Sequence, residues 1–586
     1  MRQWMVAAKK ADFYAIAEKF HVDPVVARII RNREVIGEKN IRIYLGGNLS
    51  DLSDPHQMKD MDRLVEILAQ KIRKQVHIRI IGDYDVDGVT SSHLFLTALR
   101  RVGAKVDVII PHRIQDGYGL SLHLLQQAKE DGVDTILTCD NGIAAIDEIA
   151  WAKAQKMTVL VTDHHAVPFE EHEGRRTEKK SLADAVVNPH QQDCGYPYKE
   201  LCGAGVAWNV IRVLYENYDM DKREAEDLLD FVAMATVCDV MSLTGENRIL
   251  VKEGLKRIRH TKNIGLQALM QACNVQPENI SAYHFGYVLG PCVNATGRLD
   301  TARHALRLFE TGQETEAEEI ARDLVDLNQE RKELTLQGVE MAKKLCEEGG
   351  YEKDPVLVLF LPDVHESIAG LIAGRIREMY NRPVFVLTRG EEGVKGSGRS
   401  TENYSMYENM CGCAELFTKF GGHPMAAGLS LPEENVEKFR RKINENCPLT
   451  VEEVCPDIHI DMAMPVGYAS TELVHQFALL EPFGKDNPSP LFADRNLSIS
   501  RMWVIGKNRN VLRMSVLSEY GQPVPVIFFG DVETLFAYFT EKFGQEEVEN
   551  ALHGRKNRIL FSMVYTAKID FYQGNENLQL EMKYYR

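Results

Sequence analysis

The sequence is poor in features that would place a chain in a membrane or outside the cell. Its 586 residues contain no uninterrupted apolar run of about 18, the length that a membrane-spanning helix needs. The first residues include Lys9, Lys10 and Asp12 and so lack the apolar core of a secretory signal. We therefore expect a cytoplasmic protein with no membrane partner.

Cysteine is also sparse and unpatterned. The 11 cysteines are scattered and odd in number, which argues against a complete disulfide framework. Cys411 and Cys413 form the one close pair, and no second pair completes a structural zinc site. The pattern indicates ordinary thiols in a reduced compartment.

Length and charge set wider limits. The chain is longer than the ~250–300 residues at which single cores stop growing, so we expect several domains. The formal net charge of −16 at first sight opposes a nucleic-acid partner. A local basic groove can nevertheless bind phosphates, and bound divalent cations offset acidic residues, so the net charge decides little.

Three aspartates crowd one predicted turn. Asp83, Asp85 and Asp87 follow the apolar run 76–81 and precede the helix-like segment 90–99, an order typical of strand, glycine-flanked turn and helix. Carboxylates this close repel one another unless cations join them. An ordinary Asp- and Gly-containing turn is the alternative. Three aspartates in five positions favour a divalent-metal site.

The surrounding sequence alternates short β-branched runs with amphipathic segments. This alternation predicts a parallel sheet with helices on both faces. The predicted strands span 77–81, 105–110, 135–139, 158–162 and 185–187. Ligands gather beyond the carboxyl ends of such strands. Asp140 follows the third strand, Asp163, His164 and His165 follow the fourth, and Asp239 ends the apolar segment 231–237. The sequence therefore predicts one shared metal site.

The rest of the chain divides by pattern. We expect an N-terminal helical segment at 1–75, a catalytic domain at 76–300, a connecting helix at 301–350, a second α/β domain at 351–450, and an all-β domain at 456–586. Asn328 and Gln329 are candidates for a break in the connecting helix. The short strands after 456 fit a small closed barrel of the OB type.

The motifs resemble those of the DHH phosphoesterase superfamily, and within it those of the single-strand-specific exonucleases. The resemblance covers roughly residues 45 to 580 and rests on these segments: 83–88, 119–121, 139–141, 163–165, 202–205, 238–239, 290–299, 421–428 and 482–488. It implies an α/β protein in which a parallel-sheet DHH domain and a second α/β, DHH-associated domain are joined by a long helix and followed by a β-barrel OB-fold domain. Asp486 departs from the pattern, which has glycine there, and puts the shape of that loop in question.

Aspartate and histidine ligands without thiolates suit Mn²⁺ or Mg²⁺ rather than structural zinc. The resemblance implies two ions that share Asp140. Asp83 and Asp85 would complete one site, and the other would take Asp87, His164 and Asp239. As catalytic residues we expect Asp163, which would orient His164, and His165, which would contact the scissile phosphate or the leaving oxygen, with a structural histidine as the alternative.

The resemblance also implies a basic pocket for a 5′ phosphate. The matching substrate-binding positions are Arg113, Asn294, Arg298, Ser397, Arg399 and His423. In the barrel, an aromatic residue among cations suits contact with single-stranded nucleic acid. These residues are Trp503, Lys507, Arg509 and Arg513, and burial of Trp503 in the core is the alternative.

These expectations lead to a two-metal exonuclease that shortens single-stranded DNA in the 5′→3′ direction to mononucleotides and serves DNA repair and recombination. The resemblance further implies a single-strand-binding protein and a helicase as partners. One alternative is a DHH-type phosphodiesterase for oligoribonucleotides or cyclic dinucleotides. A non-catalytic DNA-binding scaffold is the other.

Overall fold

The structure is a computed structural model, and it describes residues 3–113, 116–117, 119–172, 175–351, 353–390, 393–506, 509–572 and 574–586. The chain forms two compact units. One contains residues 52–456, and the other combines residues 3–51 with 457–586. No helix in the described ranges is long and apolar enough to cross a membrane.

The N-terminal segment belongs to the second unit. It contains strand β1 (Trp4–Val6) and helices α1 (Phe13–Phe20), α2 (Pro24–Asn32) and α3 (Glu38–Gly46). Strand β1 pairs in parallel with the strand at 458–460. Apolar residues of α2 are buried in the same core as the barrel described below.

A five-stranded parallel sheet forms the first half of the larger unit. The elements are α4 (Met61–Arg73), β2 (Ile78–Ile81), α5 (Val86–Arg101), β3 (Val106–Ile109), α6 (Leu122–Glu130), β4 (Thr135–Cys139), α7 (Ile146–Ala154), β5 (Thr158–Thr162), β6 (Phe169–His172), β7 (Arg175–Glu178) and β8 (Ala185–Val187). The sheet order is β3-β2-β4-β5-β8, and β6 and β7 form a separate hairpin. All of its strand pairs are parallel, so the predicted parallel sheet is confirmed.

Helices cover this sheet and lead away from it. They are α8 (Gly203–Asn217), α9 (Lys222–Glu226), α10 (Leu229–Cys238), α11 (Gly245–Ile258), α12 (Ile264–Ala272), α13 (Ala282–His284), α14 (Gly290–Leu299), α15 (Ala302–Glu310) and the long α16 (Glu314–Glu348). The predicted break at 328–329 is wrong, because α16 continues through it. Buried Asn328 donates to Cys292 Sγ at 3.4 Å and accepts from Arg331, so its amide is satisfied without leaving the helix.

A second α/β domain follows the long helix. It contains β9 (Leu357–Phe360), α17 (Ala369–Tyr380), β10 (Val384–Gly390), β11 (Gly393–Arg399), α18 (Met406–Cys411), β12 (Lys419–Gly422), β13 (Ala426–Leu431) and α19 (Val436–Glu445). The sheet order is β12-β13-β11-β10-β9. Buried side chains of α16 and α17 share a core with β9 and β10.

The C-terminal strands close into a barrel, as predicted. The elements are β14 (Ile458–Ile460), β15 (Met462–Ala463), α20 (Thr471–Phe477), β16 (Phe492–Ile505), β17 (Val511–Leu517), β18 (Pro523–Phe529), α21 (Val532–Phe543), α22 (Gln545–Leu552), β19 (Leu560–Tyr572) and β20 (Asn575–Tyr585). Pairing runs β16-β17-β18-β20-β19, and β19 returns to β16, which completes the ring. Asp486, the departure noted above, has φ 59°, a left-handed conformation that aspartate tolerates better than most residues other than glycine.

Candidate active site

Three acidic side chains lie between the end of β2 and the first turn of α5. Asp83 is buried two residues after the end of the strand. Asp85 caps α5, and its carboxylate accepts from Gly88 N at 3.0 Å. Asp87 accepts from the backbone amides of Gly203 and Ala204 at 2.6 and 2.7 Å. These amides begin α8, whose N-terminal dipole favours a negative charge.

Two neighbouring strands bring further ligand atoms to the same edge. In the register of the sheet, Ile81 pairs with Thr138, and Cys139 pairs with Thr162. The residues that follow these strands therefore emerge at the same level. Asp140 leaves its strand with φ 62°. Its Cβ lies so close to the start of α8 that a Cβ added to Gly203 would be 2.7 Å away.

The imidazole of His164 lies among three carboxylates. Its Nε2 is 3.0 Å from Asp140 Oδ1, 3.5 Å from Asp239 Oδ2 and 3.7 Å from Asp87 Oδ2. Asp239 reaches this point from the C-terminal end of α10 rather than from a strand. Three carboxylates within 3.7 Å of one ring nitrogen are more than the hydrogen bonding of a structural histidine requires.

Ligand atoms converge in three groups, within each of which all atoms lie within 4.8 Å of one another. The groups are Asp83, Asp85 and Asp140; Asp87, His164 and Asp239; and Asp140, His164 and His165. The first is one of the two sets that the resemblance implies, and the second contains the other set apart from Asp140. Because Asp140 belongs to one set and lies beside His164 of the other, its carboxylate can bridge two cations.

The electrostatics of the cluster favour cations. Burial, together with repulsion from neighbouring aspartates, raises the pKa of Asp83 and of Asp140 well above the ordinary value, and raises that of Asp85 in the same direction. Asp83 Oδ1 is buried without a hydrogen-bond partner among the described residues. Such a group is costly unless an ion satisfies it. The oxygen and imidazole donors fit hard divalent cations.

Asp163 contacts the ring of His165 and not, as expected, that of His164. Its carboxylate accepts from the ring Nδ1 of His165 at 2.8 Å, whereas it meets His164 only through the backbone amide. It also accepts from Ile143 N. Burial alone would raise the pKa of Asp163, but these hydrogen bonds and the neighbouring imidazoles hold it below the ordinary value. The expected orientation of the His164 ring by Asp163 is therefore replaced by orientation of His165.

His165 borders both the cluster and the solvent. Its side chain is 42% exposed, and its Nδ1 is 4.0 Å from Asp140 Oδ1. Burial opposes its charged form, but the bond to Asp163 and the surrounding carboxylates outweigh burial and raise the pKa to about 9. The ring is therefore held at the edge of the cluster, where a substrate would reach it.

Three of the predicted cations gather where the second α/β domain faces the cluster. The Arg113 guanidinium lies 4.8 Å from the centroid of the Tyr84 ring. Burial and repulsion from Arg113, Arg331 and Arg399 lower the pKa of Arg298 to about 10. Arginines that repel one another in a partly buried place are typical of an anion site.

A cavity of about 440 Å³ adjoins these arginines. Its lining includes Tyr84, Arg113, Ser367, Lys395, Ser397 and Lys419. Arg298 Nη1 donates to the carbonyl of Ser367 at 2.7 Å, so it lies against the cavity wall. Lys395 and Lys419 were missed in the sequence. The glycine-rich strands that carry them were the available signal, since glycines allow a ligand to approach the backbone.

Asn294 and His423 lie elsewhere. Asn294 Oδ1 accepts from Val86 N at 3.2 Å and so supports the first turn of α5. His423 is exposed in the turn between β12 and β13, where its backbone amide donates to Ala426 O. Neither residue is among the described residues that line the cavity.

In the barrel, Trp503 is not part of the core. Its side chain is 39% exposed, it pairs across the strands with Arg513, and the Arg501 guanidinium lies 5.7 Å from its ring centroid. Arg509 follows in the turn with φ 52°. Lys507 lies outside the described residues. An exposed indole among arginines is suitable for stacking on a base.

Comparison with known protein families defines the class first. The model of the DHH family N-terminal domain matches residues 77–236, and the DHHA1 domain model matches residues 353–447. A model of the RecJ OB domain matches residues 460–584. The fold and the acidic cluster are therefore those of a DHH protein that carries a DHHA1 domain and a C-terminal barrel.

Individual relatives narrow this class. A single-stranded-DNA-specific exonuclease RecJ of Haemophilus influenzae is 32% identical over 96% of this chain and 96% of its own length. The RecJ of Bacillus subtilis is 33% identical over 87% of this chain, but the match spans only 63% of that longer protein. The crystal structure of Thermus thermophilus RecJ in complex with Mn²⁺ superposes with a TM-score of 0.81 at 25% identity, covering 100% of this chain and 79% of that one. The chain belongs to the RecJ family.

Proposed function

We propose that this protein is an exonuclease that hydrolyses the phosphodiester bonds of single-stranded DNA with two divalent cations, Mn²⁺ or Mg²⁺. The observation that carries the proposal is the convergence of the three ligand groups around Asp140 and His164. The RecJ relatives, named as single-stranded-DNA-specific exonucleases, and the Mn²⁺ complex of the Thermus thermophilus protein support the same activity.

In this proposal the two sets of ligands act together on one phosphate. Asp83, Asp85 and Asp140 would hold one cation, and Asp87, His164 and Asp239 would hold the second beside Asp140. When bound, the cations lower the pKa of coordinated water and neutralise charge that develops on the phosphate. The backbone amides at the start of α8 fix the direction of the Asp87 carboxylate.

His165 and Asp163 act at the substrate side of the cluster. Asp163 fixes the imidazole of His165 through Nδ1, which leaves the ring facing the solvent edge. From there His165 contacts the scissile phosphate or gives a proton to the leaving oxygen. Ser397, Arg113, Arg298 and Arg399 would hold the terminal 5′ phosphate and so set the 5′→3′ direction and the release of mononucleotides.

The barrel adds a binding surface for the single strand, with Trp503, Arg509 and Arg513 as its residues. Replacing Trp503 by Ala should weaken the binding of single-stranded DNA by about 1–3 kcal/mol, the usual worth of one stacked base. Fluorescence anisotropy of a labelled oligonucleotide measures this. Unchanged affinity would remove Trp503 from the binding surface. We further propose roles in DNA repair and recombination, with a single-strand-binding protein and a helicase as partners.

The decisive experiment compares matched single- and double-stranded DNA, with 5′-phosphate or 5′-hydroxyl ends, with and without Mn²⁺. We expect Mn²⁺-dependent release of mononucleotides from single strands only. The Asp140→Ala variant should lose activity and Mn²⁺ binding in calorimetry, because Asp140 belongs to one ligand group and its carboxylate lies 3.0 Å from His164 of the other. Glu130→Ala, which removes an exposed acid of α6 in the same domain, is the matched control.

Two outcomes would contradict the proposal. Activity retained by Asp140→Ala would separate hydrolysis from the cluster. Rapid hydrolysis of short oligoribonucleotides or cyclic dinucleotides, with long DNA strands left intact, would favour the smaller-substrate phosphodiesterase.

A further variant, Arg399→Ala, tests the direction of cleavage. It should slow cleavage of 5′-phosphorylated strands more than that of strands with a 5′ hydroxyl.

A further inference from the structure

Two cysteines that are 19 positions apart in the sequence meet in the larger unit. Cys273 directly follows α12, and Cys292 lies in the first turn of α14. Their Sγ atoms are 3.7 Å apart, which is a contact between two thiols and not a covalent bond. The pair is therefore reduced in this structure, but its sulfurs need only a small movement to join.

The two thiols differ in exposure and in reactivity. Cys292 is 2% exposed, whereas Cys273 is only partly buried, so an oxidant from solution reaches Cys273 first. The side-chain hydrogen bond with Cys292 and the positive charge of Lys332 lower the pKa of Cys273 against the effect of burial. The same hydrogen bond and burial raise the pKa of Cys292. Since the thiolate is the nucleophilic form, Cys273 is the more reactive of the two.

The second helix of the pair, α14, also supports the metal cluster. Asn294 Oδ1 accepts from Val86 N at 3.2 Å, in the first turn of α5. Farther along α14, Gly297 packs so closely on the backbone of Tyr84 that an added Cβ would lie 2.3 Å from its carbonyl oxygen. Helix α14 is therefore in direct contact with the acidic turn between β2 and α5.

Cys292 and Asn294 lie on opposite sides of α14. Residues two positions apart on an α-helix are separated by about 200° around its axis. Accordingly, Cys292 contacts Cys273 at the end of α12 and Asn328 of the long helix α16, while Asn294 contacts α5. A pull on Cys292 toward α12 therefore draws Asn294 away from α5.

We propose that Cys273 and Cys292 form a reversible disulfide that lowers the affinity of the acidic cluster for its cations. The S–S distance of a disulfide is about 2.05 Å, so the two sulfurs close a gap of about 1.7 Å. Part of this movement falls on α14 and lengthens the hydrogen bond between Asn294 and Val86. A misplacement of ~1 Å, even by a change far from the chemistry, can cost about 100-fold in rate.

The oxidant in this proposal is a peroxide. The Cys273 thiolate attacks one oxygen of hydrogen peroxide and the O–O bond breaks, which leaves a sulfenic acid and a hydroxide that takes up a proton to become water. Cys292 then attacks the sulfenic sulfur: the S–S bond forms, the S–O bond breaks, and the oxygen leaves with the thiol proton as a second water. The two thiols together lose two electrons. A small thiol restores them by thiol–disulfide exchange.

Only the regulatory consequence rests on the proposed function, because it acts on the cations that would hydrolyse DNA. The formation of the disulfide does not depend on that function. Disulfides of proteins in a reducing compartment are usually transient or redox-sensing, which agrees with a pair that is reduced at rest.

The test uses the full-length, metal-free protein, which is treated with hydrogen peroxide and then freed of it. Mass spectrometry of the unreduced digest should find the peptides of Cys273 and Cys292 joined. Calorimetric titration should show an Mn²⁺ affinity at least 3-fold lower than before oxidation, and dithiothreitol should restore it. Cys273→Ser, a near-isosteric change at a partly exposed position, should lose both responses. Cys411→Ser, which removes an exposed thiol elsewhere, is the matched control and should keep both.

Three outcomes would overturn the proposal. Absence of the joined peptides would remove the disulfide, and joined peptides with an unchanged Mn²⁺ affinity would refute the regulatory step. An affinity that falls equally in Cys273→Ser would assign the loss to oxidation of other residues. In contrast, a reversible loss of affinity in a protein that degrades no DNA would support this inference and contradict the proposed function alone.

Discussion

The buried imidazole of His93 makes the stability of the larger unit sensitive to mild acid. Burial lowers the pKa of His93 from the ordinary 6.5 to about 3. Near pH 6 the His93 side chain therefore binds a proton in the unfolded chain but not in the native state. Because stability rises with pH wherever the unfolded state holds more protons, the contribution of His93 is fully present above pH 6.5 and is lost as the pH falls.

The size of the effect follows from the two pKa values. At pH 7.5 the His93 ring is neutral in both the native and the unfolded state, so protonation changes the free energy of unfolding by close to zero. At pH 5 the unfolded pKa lies about 1.5 units above the pH, while the native pKa still lies below it, so lowering the pH from 7.5 to 5 should cost about 2 kcal/mol. Variants without an ionisable group at this position should lack this part of the pH dependence.

The measurement is urea unfolding at pH 7.5 and pH 5. Hydrogen exchange in the peptide that contains α5 monitors the unfolding, so that the signal reports on the unit that holds His93. His93→Gln and His93→Phe shift the stability by different constant amounts, which cancel when the two pH values are subtracted. Both variants should then lose about 2 kcal/mol less than the wild-type protein. Equal pH dependence in all three proteins would mean that protons reach the ring, and the reasoning would fail.

Two further substitutions test close packing and a buried charge. Gly203→Ala should weaken Mn²⁺ binding at least 10-fold in calorimetry, because its Cβ would lie 2.7 Å from the Asp140 Cβ; Gly374→Ala, with no atom within 4 Å, is the control and should bind normally. Asp461→Ala should lower the free energy of unfolding of the unit formed by 3–51 and 457–586 by about 3–5 kcal/mol, since it leaves the Arg33 guanidinium, 10% exposed, without its 2.8 Å partner. A loss below 1 kcal/mol in urea unfolding would contradict this.

The convergence of the candidate ligands was predictable because it depends on the backbone. Parallel strands end at one edge of their sheet, so Asp83, Asp140 and His164 had to emerge close together once the strands were recognised. Asp239 is different, because it arrives from a helix. Strand order says nothing about that position, which entered the set because it ends the apolar segment 231–237 and because the resemblance assigns it to one of the ions.

Contacts that depend on side-chain direction could not be predicted. The sequence offers Asp163 two adjacent imidazoles, and either ring was a possible partner; the backbone after β5 turns His165 toward it and His164 toward the cluster. Asn328 was a plausible helix breaker by composition, yet its amide finds a partner in Cys292 of a helix far away in the chain. Local propensity gave way to a tertiary contact in this case.

The start of α8 links the fold to the chemistry, although it supplies no metal ligand. Five ligand carboxylates lie in one place, and their mutual repulsion opposes folding unless something offsets it. The amides of Gly203 and Ala204 meet Asp87 with two short hydrogen bonds and the positive end of a helix dipole, which offsets part of that repulsion before any cation binds. Glycine is needed at the first of these positions because Asp140 packs against it. The segment 202–205, which resembles a family motif, therefore supplies no metal ligand. Its amides and its glycine allow the carboxylates to lie close enough together to share two cations.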